Sequence, residues 1–149
     1  MRTAILILTS LLAATPALAD DKTDALAAVH AYVEDFNKGD TAAANALCTG
    51  QSTIIDDFAP HIWQGATACA DWAAAFDAAA KAQGITDPKV MTGKPKTLSA
   101  KGDRAYAVLP AKYSYKQHGK PVNEAGLFTF ALQKADAGWR IAGWAWGAE

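Results

Sequence analysis

The hydrophobic pattern of the sequence changes once along the chain, near residue 90, and this change limits the folds that the chain can adopt. Before it, apolar residues recur at spacings of three and four, which is typical of helices buried on one face. After it, apolar and polar residues alternate between short turn sequences, as they do in antiparallel strands. We therefore expect an α+β domain in which three N-terminal helices pack on one face of an antiparallel sheet.

Three helices are predicted in the first part of the chain. Gly39 is of the residue type that commonly ends a helix, and Asp40 or Thr41 can cap the helix that follows. On the third helix, Cys69 and Trp72 belong to an apolar stripe that is expected to face the core. The predicted helices span residues 24–38, 41–47 and 67–83.

Five strands are predicted, one before the third helix and four after it. Pro95 interrupts the first of these four, which is typical of an edge strand or a bulged strand. The last three are joined by short turns and predict a meander. The predicted strands span residues 52–58, 90–99, 104–117, 124–134 and 139–146.

The last predicted strand is apolar on both faces. Strict alternation places Trp144 and Trp146 on one face, and Trp139 and Ile141 on the other. Helices can cover only one face of the sheet, and a large apolar patch is rarely left in contact with water. We therefore predict a homodimer through the open sheet face; the alternative is a helix or tail that lies over it.

Residues 1–19 are typical of a secretory signal peptide. Arg2 precedes an apolar run from Ala4 to Ala14, and Ala17-Leu18-Ala19 offers small residues to a signal peptidase. The run is too short to span a bilayer, which takes about 20 apolar residues. We expect cleavage after Ala19, which leaves one periplasmic or secreted domain over residues 20–149.

The two cysteines, Cys48 and Cys69, both lie in the part expected to be exported. In an oxidising compartment such a pair tends to form a disulfide. The bridge would close a loop of about 20 residues and would be worth roughly 3 kcal/mol in the chain-entropy model. Two buried free thiols are the alternative.

The charge pattern limits the partners. The formal net charge is −1 at pH 7, without a basic cluster, which argues against a nucleic acid or an anionic membrane as partner. His30, His61 and His118 lack the spacing of metal ligands. The sequence also lacks a nucleophile elbow and a phosphate-binding glycine loop. We therefore expect no metal and no cofactor.

Four short motifs follow one another in a recognisable order. They are Phe36-Asn37-Lys38-Gly39-Asp40, Thr53-Ile54-Ile55-Asp56-Asp57, Trp63-Gln64-Gly65 and Gly138-Trp139-Arg140-Ile141. This order resembles the nuclear-transport-factor-2-like superfamily, which includes ketosteroid isomerases and SnoaL-like polyketide cyclases. The resemblance covers essentially residues 20–149. It implies a cone-shaped roll, in which a curved sheet wraps around the helices and forms an apolar pocket, and commonly a dimer through the open face.

Over the first half, the chain resembles a ketosteroid isomerase more closely, and this implies roles for single residues. Tyr32 falls on the oxyanion-hole tyrosine and Asp56 on the catalytic base. A carboxylate can move a proton beside a carbonyl while a phenol holds the enolate oxygen. The second oxyanion donor of the isomerase, a protonated aspartate, is replaced here by Gly126. Glu124, two residues earlier on the same strand face, could stand in for it.

Three functions compete at this point. The first is a binding module that holds a small apolar or aromatic molecule in the cone without turnover, and the missing second donor favours it. The second is an isomerase- or cyclase-type enzyme that uses Asp56, or the loop residue His61, with Tyr32; for His61 a capping or surface role is the alternative. The third is a dimeric scaffold. Six aromatic residues are expected to pack in the core, and lining the pocket is their second possible role. They are Phe36, Trp63, Trp72, Phe76, Trp144 and Trp146.

Overall fold

The structure is a computed structural model that describes residues 20–149; the expected signal peptide, residues 1–19, lies outside the described residues. In this part of the chain three helices pack on one face of a seven-stranded sheet, which confirms the α+β class. The elements are α1 (Asp21–Lys38), α2 (Thr41–Ala46), β1 (Cys48–Ile55), β2 (Ile62–Gly65), α3 (Ala68–Ala82), β3 (Ile85–Thr92), β4 (Thr97–Lys101), β5 (Arg104–Gln117), β6 (Lys120–Ala135) and β7 (Gly138–Ala148).

Capping residues set the ends of the first two helices. The side chain of Asp20 accepts a hydrogen bond from the backbone N–H of Lys22 and begins α1. Gly39 ends that helix in the left-handed conformation, with φ of 75°. The side chain of Asp40 accepts a 3.0 Å hydrogen bond from the backbone N–H of Ala43 and begins α2. The predicted stop at Gly39 and the predicted cap at Asp40 are both confirmed.

The sheet is mixed rather than wholly antiparallel. Its strand order is β2-β1-β7-β6-β5-β3, and β4 also pairs with β5. The meander β5-β6-β7 is antiparallel as predicted, but β1 lies parallel to β7. The expectation of a purely antiparallel sheet is therefore wrong. The reason is that β1 precedes α3 and enters the sheet beside the last strand, so no hairpin turn fixes its direction.

The edge beside β5 consists of two strands where one was predicted over residues 90–99. The second half of β5 pairs with β3, and the first half pairs with β4. Pro95 lies in the break between them, because it has no N–H to donate to a neighbouring strand. The four-residue strand β2, which pairs with β1, was not predicted.

One extra residue changes the faces of β7. Ile141 and Gly143 pair with consecutive residues of β6, so that Ala142 between them has no partner. This β-bulge reverses the alternation of side chains from that point on. The prediction that the aromatic residues of β7 point to opposite faces is therefore wrong. Four large side chains of β7 lie on the helix-facing side: Trp139, Ile141, Trp144 and Trp146.

The face of the sheet away from the helices keeps several apolar side chains in contact with solvent. Strand register and alternation place on this face all the large hydrophobic residues that are exposed in residues 20–149. The homodimer through this face remains a prediction. These exposed residues are Ile55, Ile62, Met91 and Tyr106.

A disulfide joins the sheet to α3. Cys48, the first residue of β1, is bonded to Cys69 in the first turn of α3, so the expected bridge is present. The side of α3 that carries Cys69 is buried. None of the helices between residues 20 and 149 is both long enough and apolar enough to cross a membrane.

Candidate functional site

The helices and the curved sheet surround a cavity of about 340 Å³. Small-molecule pockets typically have volumes of ~300–1,000 Å³, with mainly apolar walls and a few polar groups. The walls of this cavity fit that description, because most of the side chains that line it are aromatic or aliphatic. The aromatic lining residues are Tyr32, Phe36, Phe58, Trp72, Phe76, Tyr113, Tyr115, Phe128, Trp144 and Trp146.

Asp56, the residue after β1, brings a carboxylate to this cavity. Its Oδ2 accepts a 2.8 Å hydrogen bond from Nε1 of Trp72, and its Oδ1 accepts one of 2.8 Å from the backbone N–H of Asp57. Burial raises the pKa of Asp56 from 3.8 to about 6, although both hydrogen bonds favour the charged form. The carboxylate can therefore gain and lose a proton near neutral pH.

Tyr32 brings a hydroxyl to the same cavity from α1. Its oxygen accepts a 2.8 Å hydrogen bond from Nε1 of Trp144 on β7. Burial raises the pKa of the phenol, so it stays protonated, and the charge of Asp56 acts in the same direction. In the described part of the chain the hydroxyl has no other hydrogen-bond partner, so its proton can be donated to a ligand oxygen.

Two indole rings connect these polar groups. Trp72 and Trp144 pack edge to face, with ring centroids 4.7 Å apart. One donates to the Asp56 carboxylate and the other to the Tyr32 hydroxyl. The arrangement fixes a proton acceptor and a hydrogen-bond donor on different elements around one cavity.

Two tyrosines of β5 also line the cavity, and the sequence analysis missed them. The hydroxyl of Tyr113 is buried and has no hydrogen-bond partner within residues 20–149. The hydroxyl of Tyr115 donates a 2.6 Å hydrogen bond to Oε1 of Glu124 on β6, which raises the pKa of Tyr115 to about 12. The sequence held only part of the signal: alternation along β5 puts both tyrosines on the same face as Ala107 and Leu109, which are buried.

Gly126 stands where the resemblance placed a second oxyanion donor, and its surroundings leave no room for a side chain. A Cβ atom there would lie 2.6 Å from the carbonyl oxygen of Gly147 and 2.7 Å from Cζ2 of Trp146. The Trp146 ring thus occupies the space. Glu124, the suggested substitute, lines the cavity but accepts a hydrogen bond from Tyr115 there.

Two of the predicted site residues do not line the cavity. His61 is exposed in the turn before β2, where its Nδ1 lies 3.2 Å from the carbonyl oxygen of Asp56 and its backbone N–H donates to Phe58. His61 therefore lies at the surface, which is one of the two alternative roles given for it. Trp63 is buried outside the cavity lining and packs against the lining residue Phe58, with ring centroids 5.1 Å apart. The remaining predicted residues do line the cavity: Tyr32, Phe36, Asp56, Trp72, Phe76, Trp144 and Trp146.

The sequence matches no protein-family model. It also matches no curated protein. Solved structures, in contrast, are similar over most of the chain. A ketosteroid isomerase-like protein from Erwinia carotovora atroseptica has a TM-score of 0.69 and 19% identity, over 87% of this chain and 96% of that one.

Two further structures agree with this result. A nuclear-transport-factor-2-like superfamily protein from Salmonella enterica Typhimurium has a TM-score of 0.72 and 15% identity, over 86% of this chain and 90% of that one. A nuclear-transport-factor-2-like protein from Novosphingobium aromaticivorans has a TM-score of 0.69 and 19% identity, over 86% and 81% of the two chains. At these identities the likeness shows the fold alone. The chain therefore has the cone-shaped α+β fold of the nuclear-transport-factor-2-like and ketosteroid isomerase-like proteins.

Proposed function

We propose that the domain binds a small apolar or aromatic molecule in the cavity. The observation that carries the proposal is the aromatic-lined space of about 340 Å³ between the helices and the sheet. Aromatic walls supply affinity by removing ligand surface from water, and the few polar groups fix the ligand's orientation. Asp56 and the Tyr32 hydroxyl are the groups best placed to do so, because each is held by an indole N–H.

The indole signals of the protein provide a direct test. Titration with 2-naphthol, followed by ¹H–¹⁵N NMR, should shift the indole N–H resonances of Trp72 and Trp144, while that of Trp139, which does not line the cavity, stays in place. Ala80→Phe fills the cavity and should abolish the shifts. Ala78→Phe, on the exposed side of the same helix, is the matched control and should preserve them. Shifts that survive Ala80→Phe would contradict binding in the cavity.

A second candidate function is proton transfer next to a carbonyl group. The pKa of about 6 at Asp56, in the same cavity as the unused proton of Tyr32, favours it. The Asp56 carboxylate would take a proton from the carbon beside the carbonyl, and the Tyr32 hydroxyl would donate a hydrogen bond to the enolate oxygen. Return of the proton to another carbon would complete an isomerisation.

Deuterium incorporation from D₂O into 2-tetralone tests this second function. The protein should accelerate exchange at the carbons beside the carbonyl, and Asp56→Asn should abolish the acceleration. Tyr32→Phe should reduce it by about 100- to 1,000-fold, the usual cost of removing one oxyanion donor. Asp136→Asn, in the exposed β6–β7 turn, changes the net charge equally and should have no effect. Exchange no faster than in buffer would leave binding alone as the function.

We also propose that the protein acts outside the cytoplasm. The leader-like pattern of residues 1–19 and the Cys48–Cys69 bridge support this, since disulfides persist in oxidising compartments. Expression of the full chain in a bacterial host and mass measurement of the periplasmic and culture fractions would test it. A product beginning at Asp20 is expected; uncleaved protein in the cytoplasm would contradict the proposal.

A further inference from the structure

The charged groups around the cavity are all of one sign. The carboxylates of Asp56, Asp57 and Glu124 line it, and no lysine, arginine or histidine does so among residues 20–149. Burial raises the pKa of Tyr113 most, and the charges of Tyr115 and of the three carboxylates act in the same direction. A cavity with this lining repels an anionic ligand and attracts a cation.

Aromatic rings surround the same region from two sides. On α3 the rings of Trp72 and Phe76 are stacked, with centroids 5.3 Å apart, and on β5 the rings of Tyr113 and Tyr115 lie 4.7 Å apart. Phe76 and Tyr113 join the two pairs, with centroids 6.3 Å apart. Aromatic faces attract cations through their quadrupole, and quaternary ammonium groups are commonly bound in such cages.

The hydroxyl of Tyr113 gives an independent indication of a ligand. It is buried without a hydrogen-bond partner, and buried polar groups rarely stay unpaired. Its neighbour Tyr115 differs, because its hydroxyl donates to Glu124. The lone pairs of the Tyr113 oxygen are free to accept a hydrogen bond from the N–H of an ammonium group.

From these three observations we propose that the ligand of the cavity carries an ammonium group on an apolar or aromatic body. The inference rests on the proposed binding function and specifies its ligand. The ammonium group would lie near Tyr113, Asp57 and Glu124, and the apolar body would extend along Trp72 and Trp144 toward Tyr32. A bound cation would balance the carboxylates, which have no positive partner in the lining.

A pair of isosteric probes separates the charge from the shape of the ligand. The cation 4-tert-butylbenzylammonium, which carries N–H donors, and the uncharged 4-tert-butylbenzyl alcohol have nearly the same size. We expect the cation to bind about tenfold more tightly at pH 7.5 and low salt, measured by the indole shifts of Trp72 and Trp144. Glu124→Gln should weaken binding of the cation about three- to tenfold more than it weakens binding of the alcohol. Asp136→Asn removes the same charge far from the lining and serves as the control.

The outcomes separate this inference from the proposed function. If the alcohol binds as tightly as the cation, or if Glu124→Gln weakens both equally, the ammonium inference is overturned while binding in the cavity stands. If neither probe nor 2-naphthol shifts the two indole signals, the proposed function fails together with the inference. Retained binding of the alcohol by Glu124→Gln shows that the variant cavity is folded.

Discussion

Nε1 of Trp72 lies 2.8 Å from Oδ2 of Asp56 and donates a hydrogen bond to a carboxylate whose pKa burial raises to about 6. The two influences oppose each other, since the indole N–H favours the charged carboxylate and burial favours the neutral acid. Burial is the stronger of the two. Asp56 therefore changes its charge in a pH range in which most aspartates are already ionised.

The indole N–H of Trp72 should report this ionisation directly. As the pH rises from about 2.5 to 8, its NMR resonance should move with a midpoint near pH 6, because the acceptor changes from carboxylic acid to carboxylate. The resonance of Trp139, remote from the cavity, is the control and should not follow this curve. In Asp56→Asn the transition should disappear. A midpoint near the ordinary value of 3.8 would contradict the buried environment of Asp56.

The Asp56 carboxylate should lower the stability of the protein at neutral pH. The folded chain holds the proton of Asp56 more tightly than the unfolded chain does, so the free energy of unfolding falls as pH rises from about 4 to 6 and is constant above. Asp56→Asn should therefore raise the free energy of unfolding at pH 7.5 by about 1–2 kcal/mol. The full pKa shift of Asp56 corresponds to about 3 kcal/mol, but the partial exposure of the side chain and the loss of a hydrogen bond reduce the gain. At pH 4 this gain should be absent. Urea unfolding at both pH values, with Asp136→Asn as the control, measures this gain. If Asp56→Asn destabilised the protein equally at both pH values, the prediction would be contradicted.

Gly126 should tolerate no side chain. Gly126→Ala should lower the free energy of unfolding by about 1–3 kcal/mol, the usual cost of forcing extra atoms into a packed site. It should also shift the Trp146 indole resonance, because the new methyl group would meet that ring. Gly147→Ala is the matched control, since a Cβ there meets nothing within 4 Å. Equal effects of the two substitutions would contradict this account of the missing donor.

Removal of the disulfide should destabilise the domain. The bridge spans a sequence separation of 21 residues. The double substitution Cys48→Ala and Cys69→Ala should lower the free energy of unfolding by roughly 3 kcal/mol, mainly through the greater freedom of the unfolded chain. Urea unfolding measures this cost. Mass spectrometry after alkylation of the native, unreduced protein should show no modified thiol, and two modified thiols would contradict the bridge.

The open sheet face should form a homodimer interface. Light scattering at micromolar concentration should give twice the mass of one mature chain. Thr129→Arg, at the middle of this face, should yield a folded monomer, because the cation cannot be buried against an apolar partner surface. His30→Arg, exposed on α1, should remain dimeric. A monomeric wild-type protein would contradict the dimer, and the solvent exposure of Ile55 and Tyr106 would then need another explanation.

Local chemistry explains which parts of the fold the sequence could predict. Gly39 and Asp40 determine helix ends through contacts within a few residues, so their roles follow from the sequence alone. The parallel pairing of β1 with β7 depends on residues some 90 positions apart in contacts such as Ile54 with Trp144, and no local pattern specifies it. The bulge at Ala142 is similar, since a strand with one extra residue looks regular until its partner is known.

Some residues of the candidate site could also be predicted from the sequence, and others could not. The resemblance brought Tyr32 and Asp56 to one cavity, and the structure places both there. Tyr113 and Tyr115 lay in a strand whose alternation was visible, but nothing in the sequence indicated that this end of β5 faces a cavity rather than solvent. Whether the hydroxyl of Tyr113 finds a partner depends on side chains from α3, β6 and the loop after β1, and is thus a property of the packed structure.

The unpaired Ala142 also affects how this protein can change over generations. A strand from which that residue is deleted would alternate regularly and would still turn Trp139, Ile141, Trp144 and Trp146 toward the helices. The loss of one codon would therefore leave every indole on its present side. It would remove the bend that a bulge imposes, so that the sheet would flatten at this level and the cone would open. A lineage could in this way adjust the width of the cavity through strand length while keeping the same aromatic side chains.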